Sequence, residues 1–83
     1  MDNKKELIRL MERHFASIVV ENETDSCLVD CVNTDDYHVF YFDENGNKRD
    51  ALLTNIDDVL NIKVGKSGTI GEMVENGAAC WED

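Results

Sequence analysis

The pattern of apolar residues changes once along the chain, near residue 16. Before that point four apolar residues recur at helical spacing, namely Leu7, Ile8, Met11 and Phe15. Because polar residues separate them, the pattern is amphipathic and predicts a helix over roughly residues 4–14. The apolar stripe of such a helix needs a surface to pack on.

From residue 16 onward the chain consists of short runs rich in β-branched and aromatic residues, separated by polar clusters. The runs predicted to be strands are ASIVVE (16–21), SCLVDCV (26–32), YHVFYF (37–42), RDALLTNI (49–56) and VLNIKV (59–64). Such short β-rich runs between turn residues are typical of strands. Beyond them, Thr69 and Glu72 have capping-box spacing and Gly77 is a stop signal, which predicts a short helix near residues 70–76.

These elements predict an α+β fold in a single domain that spans residues 1–83. We expect an N-terminal helix, then a five-stranded antiparallel meander that forms a small barrel or a curled sheet, then a short C-terminal helix. A chain of 83 residues has room for one small hydrophobic core. We therefore expect no large substrate cleft.

The strongest local signal is the pair Asn45-Gly46 within FDENGNKRD. Between β-rich runs this pair is the preferred two-residue hairpin loop. A hairpin centred on it places Asp43 opposite Lys48, and it places Leu52 on the same face as Val39. Both faces then carry apolar residues, so we expect both to be covered, one of them by the N-terminal helix.

The net charge of −10 narrows the range of partners. Residues 21–83 hold 15 of the 18 acidic side chains but only 4 of the 8 basic ones. A negative field repels nucleic acid and anionic membrane, and it steers association with a basic protein surface. We therefore expect a basic protein partner, specifically a nucleic-acid-binding protein, and no direct nucleic-acid or membrane partner.

The acidic residues concentrate in the predicted turns. Alternate turns of a meander fall at the same end of the sheet, so two acidic groups are expected, and Trp81 offers an aromatic anchor. The predicted partner-binding residues are Glu21, Glu23, Asp25, Asp43 and Glu44 at one end, Asp35, Asp36, Asp57 and Asp58 at the other, and Trp81. The alternative interpretation is that these are ordinary solvated turns that prevent edge-to-edge pairing.

Two of the three cysteines occur in the stretch CLVDC, residues 27–31. On a strand four residues span about 13 Å, beyond the reach of a disulfide or of two thiolates on one zinc ion. Cys27 and Cys31 are therefore predicted to be core residues. The alternative is a metal or thiol site that one of them forms with His38 or Cys80.

The other candidate motifs fail on spacing. VGKSGT has Leu60 where a phosphate loop needs a glycine, and a calcium loop begun at Asp43 has Thr54 where it needs a glutamate. We expect no metal, no cofactor and no catalytic residue. The chain has no signal-peptide pattern and no long apolar run, so we expect a cytoplasmic protein that is a monomer or a small homo-oligomer.

In the order and spacing of its elements, with YHVFYFDENGNKRDALLTNIDDVLNI as middle and end, the chain resembles an Sm-like or SH3-like small barrel over residues 4–64. The resemblance implies that the short last strands closing the barrel hold Ile56, Val59, Leu60 and Ile62. Such barrels include RNA-binding ring proteins and a small acidic inhibitor of the bacterial termination factor Rho, which occupies a nucleic-acid-binding surface. ENETDS stands where the family has a glycine in its first turn.

Three hypotheses about function result. The first is a non-enzymatic acidic protein-binding module, an inhibitor or regulator of the phage or mobile-element type, including anti-CRISPR proteins and transcription-factor inhibitors. It would occupy the basic surface of a nucleic-acid-binding protein. The second is an RNA-binding Sm-like protein, which requires the fold to cluster Lys48, Arg49, Lys63 and Lys66. The third is a small thiol- or metal-dependent enzyme.

Overall fold

The structure of the chain, a computed structural model, describes residues 17–32, 36–77 and, in their backbone only, 79–82. Five strands and two short helices lie in these ranges. In chain order they are β1 (Ser17–Glu21), β2 (Ser26–Val32), β3 (Asp36–Phe42), β4 (Lys48–Leu53), α1 (Ile56–Leu60), α2 (Ile70–Glu75) and β5 (Ala79–Glu82).

The strands form one antiparallel sheet in the order β4-β3-β2-β1-β5. The first four make a meander in which each strand pairs with the next. The chain then passes through α1 and α2, and β5 returns to pair with β1, where Ile18 lies opposite Trp81. Because β4 and β5 lie at the two edges, the sheet is open.

The expected fold class is wrong. Strands occur close to the first four predicted runs, but the fifth run does not close a barrel or a curled meander. Its start lies in α1, where Asn55 accepts a hydrogen bond from the backbone N of Asp57 at 2.8 Å and the apolar Val59 and Leu60 turn into the core. Of the residues that the Sm-like resemblance assigned to short closing strands, Ile56, Val59 and Leu60 lie in α1, and Ile62 follows that helix. The helix predicted over residues 4–14 lies outside the described residues.

The helix predicted near residues 70–76 is observed as α2, although a strand follows it. Its N-cap is Thr69, whose hydroxyl accepts from the backbone N of Glu72 at 3.1 Å. The Glu72 carboxylate accepts in return from the backbone N of Thr69 at 3.2 Å. Two orphan amide groups at the helix start are thus satisfied reciprocally. The helix stops before Gly77, which has a φ of 81°.

The register of the β3–β4 hairpin differs from the predicted one by a single residue. Lys48 lies opposite Phe42 instead of Asp43. A shift of one residue exchanges the two faces of a strand. Leu52 therefore lies on the face opposite Val39, and it is 65% exposed.

The cause of the shift lies in the turn. The backbone N of Gly46 donates to the carbonyl O of Asp43 at 3.0 Å, so the tight turn is centred on Glu44-Asn45 and not on Asn45-Gly46. The Asp43 carboxylate accepts from the backbone N of Asn45 and from that of Asn47, each at 2.9 Å. Gly46 has a φ of 78° and supplies the left-handed residue that follows such a turn in longer hairpin loops. The aspartate thus selects the loop.

The sheet has two unlike faces. The inner face packs on α1 and α2 and forms the core, and the outer face carries the alternate residues of each strand. The buried core consists of Ile18, Val20, Cys27, Val29, Tyr37 and Val39 from the inner face, with Val59, Leu60, Val64, Ile70, Met73 and Val74 from the helices and their connection. The outer face is partly exposed, so the prediction that the hairpin is covered on both sides is not met by the described elements.

Candidate functional site

Three connections meet at one end of the sheet, which we call the acidic end. They are the β1–β2 turn (22–25), the β3–β4 turn (43–47) and the loop 65–68 that precedes α2. The backbone N of Gly65 donates to the carbonyl O of Phe42 at 2.8 Å, and the side-chain N of Asn22 donates to the hydroxyl of Ser67 at 2.8 Å. The sequence predicted that the first two connections share an end, and the loop 65–68 joins them to each other.

Asp25 holds the β1–β2 turn to the loop 65–68. Its carboxylate accepts from the Ser67 hydroxyl, from the backbone N of Lys66 at 3.2 Å and from the Thr24 hydroxyl at 3.3 Å. These donors, the Ser67 hydroxyl first, hold the pKa of the Asp25 carboxyl below its ordinary value of 3.8. The predicted partner-binding residue Asp25 is therefore an internal clasp.

Asp43 has a similar role in the β3–β4 turn. Besides the two turn amides, its carboxylate accepts from Nε of Arg49 at 2.8 Å. The bond to Arg49 is the main reason why the pKa of the Asp43 carboxyl lies below its ordinary value. The charge of Asp43 is thus matched by a cation of the same hairpin, which leaves little of it for a partner.

The remaining predicted residues at this end point to solvent. Glu21, Glu23 and Glu44 are exposed, and within the described part of the chain none of their side chains has a hydrogen bond or an ion pair. Next to them Phe42 is 54% exposed, and together with Asn22 and Glu23 it lines a shallow depression of about 360 Å³. An exposed aromatic side chain thus shares a depression with the exposed carboxylate of Glu23.

Basic side chains border the acidic end without forming a continuous patch. Lys48 pairs with Phe42 across the hairpin, and Lys66 is exposed in the loop 65–68. Lys63 lies further along, at an isolated bridge with Thr69. Because Arg49 is bound to Asp43, two cations, Lys48 and Lys66, and three carboxylates at this end have no ion-pair partner among the described residues.

The second predicted acidic group lies at the opposite end of the sheet. Asp57 and Asp58 are exposed in the first turn of α1, and Asp36 is partly buried at the start of β3. Asp35 and the side chain of Trp81 lie outside the described residues. The structure therefore places Asp57 and Asp58 near the end of the sheet where β3 begins, and among the described residues no side-chain hydrogen bond joins them to Asp36.

Cys27, Cys31 and His38 do not form a common site, and the side chain of Cys80 lies outside the described residues. Cys27 is buried, and burial raises the pKa of its thiol to about 12, so it stays protonated at neutral pH and is a poor nucleophile. Cys31 pairs with Tyr37 on the inner face, whereas the adjacent His38 points to the outer face, with Nε2 at 3.9 Å from Oδ2 of Asp50. Among the described residues, no three potential metal ligands converge.

Sequence reasoning missed Phe42 and the loop 65–68. The wrong hairpin register hid Phe42, because it assigned the residue to a covered face. The loop carried a signal, since Gly65 and Gly68 flank Lys66-Ser67 and both glycines have positive φ, 51° and 94°. Gly65, Lys66 and Ser67 also fit part of a phosphate-loop motif, which the chain does not complete.

The hydrogen bonds that the carboxylates of Asp25 and Asp43 accept make the stability of the folded chain dependent on pH. Since the pKa values of Asp25 and Asp43 are lower in the folded chain than their ordinary 3.8, their contribution is present above pH 3.8 and is lost as the pH falls through the lowered values. We expect the urea midpoint to fall between pH 5 and roughly pH 2.5. The Asp25→Asn variant should fall less steeply over this interval, and an equal slope for parent and variant would count against the clasp.

The fold and the acidic end define a class of molecule: a small open antiparallel sheet backed by two short helices, with carboxylates around an exposed aromatic side chain. No protein-family model, no curated protein and no solved structure matches the chain. In the described ranges, neither helix has the length and apolar character needed to cross a bilayer. The function is therefore argued from the surface itself.

Proposed function

We propose that this chain is a non-enzymatic acidic protein-binding module that occupies the basic surface of a nucleic-acid-binding protein. The observation that carries the proposal is the surface around Phe42, where an aromatic side chain that is 54% exposed lies beside Glu23, a carboxylate with no ion-pair partner in the described ranges. An aromatic anchor within a polar rim is the usual composition of a protein-binding hot spot. The anchor supplies affinity, and the rim selects the charge of the partner.

The charge supports a basic partner. The whole chain carries a net charge of −10, and such a field accelerates encounter with a cationic surface and disfavours phosphates. Extended cationic surfaces on proteins are typical of nucleic-acid-binding sites. A protein that binds there competes with the nucleic acid, which makes an inhibitor or a regulator the simplest consequence.

The rigidity of the acidic end supports the same proposal. The carboxylates of Asp25 and Asp43 hold the two turns in place through their hydrogen bonds. The ordered turns then determine the positions of Glu23 and Glu44. Binding groups held on ordered turns lose less conformational entropy on association than groups on flexible segments. The bonds of Asp25 and Asp43 therefore hold the exposed Glu23 and Glu44 in position for binding.

The test begins with capture. The full chain is immobilised and exposed to a lysate of its source cells, and the captured protein is then purified and its affinity measured by calorimetry. We expect a basic nucleic-acid-binding protein whose complex weakens roughly tenfold or more between 50 and 300 mM salt. Competition with the partner's own nucleic acid is measured by fluorescence anisotropy.

Charge reversal identifies the end that binds. The double variant Glu23→Lys plus Glu44→Lys should weaken the complex by about 2 kcal/mol or more, roughly thirtyfold. Asp57→Lys plus Asp58→Lys changes the net charge equally at the opposite end and should weaken it only a few-fold. Phe42→Ala should also cost about 2 kcal/mol. Equal losses for the two double variants would mean that total charge, and not this surface, drives binding.

Another result would contradict the proposal altogether. If the purified chain binds RNA at nanomolar concentration, and Lys48→Glu plus Lys66→Glu removes that binding, the module reads nucleic acid directly. Capture of a partner that does not release its nucleic acid in the anisotropy experiment would leave protein binding intact but exclude occupation of the nucleic-acid site.

A further inference from the structure

Two asparagines of the chain are each followed by a glycine, Asn45-Gly46 in the β3–β4 turn and Asn76-Gly77 at the end of α2. Both asparagines are exposed, and among the described residues neither side-chain amide has a hydrogen-bond partner. A Cβ atom added at either glycine would meet nothing within 4 Å. In each pair the side-chain carbonyl carbon of the asparagine and the backbone nitrogen of the glycine are therefore accessible to water.

The chemistry that such a pair permits is deamidation. The glycine nitrogen loses its proton to a base in the solvent and attacks Cγ of the asparagine, which closes a cyclic imide. The bond from Cγ to the amide nitrogen breaks, and this nitrogen takes up a proton and leaves as ammonia. Water then opens the imide at either carbonyl, which gives aspartate or isoaspartate. Glycine favours the attack because it has no Cβ atom to crowd the nitrogen, and asparagine is a thermolabile residue.

The residue that precedes the first pair by one position opposes this attack. Oδ1 of Asp43 accepts from the backbone N of Asn45 and from that of Asn47, each at 2.9 Å. The carbonyl O of Asp43 accepts from the backbone N of Gly46 at 3.0 Å. The proton that must leave is thus held in a hydrogen bond, and the main chain on both sides is bonded to one residue. The attack therefore requires a locally opened turn, which becomes rarer as more bonds have to break.

The second pair has no such carboxylate. The backbone N of Gly77 donates to the carbonyl O of Val74 at 3.0 Å, and the backbone N of Asn76 donates to carbonyl groups of α2. Within the described ranges no side chain is bonded to Asn76 or Gly77. These are main-chain bonds at a helix end, where helices fray. The two pairs therefore share their chemistry and differ in the contribution of Asp43.

We propose that Asn45 is a site of spontaneous deamidation and that the Asp43 carboxylate limits its rate by holding the turn closed. Conversion replaces a neutral amide by a carboxylate next to Glu44, so the acidic end gains a negative charge. In the isoaspartate product the main chain between this residue and Gly46 is also one carbon atom longer, within the bonded turn. The assignment does not depend on the function proposed above.

Peptide mapping of the full chain after incubation in mildly alkaline buffer measures both sites in one molecule. We expect conversion at Asn45 in the parent. In Asp43→Ala the rate at Asn45 should rise severalfold while the rate at Asn76 stays close to the parent value. Asp43→Asn retains an acceptor oxygen at the same position, so its rate at Asn45 should lie closer to that of the parent. Asn45→Gln should remove the product at this position.

Three outcomes would overturn the proposal. An unchanged rate at Asn45 in Asp43→Ala would show that the carboxylate does not limit the reaction. Equal acceleration at Asn45 and Asn76 would assign the effect to a general loosening of the fold. In urea, where the turn is lost, the two asparagines should convert at similar rates. If Asn45 converts only in urea and not in the folded parent, it is not a modification site of the folded protein.

Discussion

The Ile70→Ala variant is expected to lose about 3 to 4 kcal/mol of the free energy of unfolding. Ile70 is the first residue of α2, and none of its surface is exposed. Its side chain packs in the core, and its backbone N donates to the carbonyl O of Ile62 at 2.9 Å, which fixes the side chain in place. Truncation to alanine removes three carbon atoms and leaves a cavity that the bonded backbone cannot close.

Two further variants make this result specific. Ile70→Val removes one carbon atom and should cost about 1 kcal/mol. Leu52→Ala removes as many carbon atoms as Ile70→Ala, but from a side chain that is 65% exposed, and it should cost less than about 0.5 kcal/mol. Urea unfolding measures all three. A large loss for Leu52→Ala would support the hairpin register centred on Asn45-Gly46, in which Leu52 is covered.

The sequence predicts the first four strands because a short run of β-branched and aromatic residues between two polar clusters is a local signal. The fifth predicted strand fails because a short apolar run such as residues 59–64 fits a helix or a strand equally well. The deciding signal was present: Asn55 stands before two acidic residues, Asp57 and Asp58, which is typical of a helix start. The pairing of β5 with β1 joins residues far apart in the chain, and periodicity carries no information about it.

The hairpin shows how a side chain can override a strong local preference. The pair Asn45-Gly46 favours a two-residue loop, but it does not account for the Asp43 carboxylate. That carboxylate accepts from two backbone amides of the turn and from Arg49, and these bonds stabilise the longer loop. A register error of one residue then assigns every side chain of β4 to the wrong face of the sheet. It also misses the pairing of Phe42 with Lys48.

The sequence predicts which acidic residues lie at the candidate site, but it does not predict the role of each carboxylate. The sequence identifies the acidic turns and places two of them at one end. It does not distinguish the carboxylates that fix the turns from those that are free, because the bonds of Asp25 reach Lys66 and Ser67 in a loop about forty residues away. Only the three-dimensional arrangement identifies Glu21, Glu23 and Glu44 as the carboxylates of the acidic end whose side chains have no partner among the described residues.

The Gly65→Ala variant is expected to lose about 2 to 3 kcal/mol. Gly65 has a φ of 51°, in the left-handed region, where alanine costs about 1 to 2 kcal/mol relative to glycine. In addition, a Cβ atom at this position lies 1.8 Å from Oδ1 of Asp25. The carboxylate must therefore leave its donors on Lys66 and Ser67, which costs about a further 1 kcal/mol.

A double-mutant cycle separates the two causes. Gly77→Ala is the matched control, because Gly77 has a φ of 81° but nothing within 4 Å of its added Cβ, so it should cost only the backbone part, about 1 kcal/mol. In an Asp25→Ala background the steric overlap is absent, and Gly65→Ala should then cost no more than Gly77→Ala does. An additive cycle, measured by urea unfolding, would show that the carboxylate of Asp25 does not hold the loop 65–68, because residues that share a contact are expected to couple.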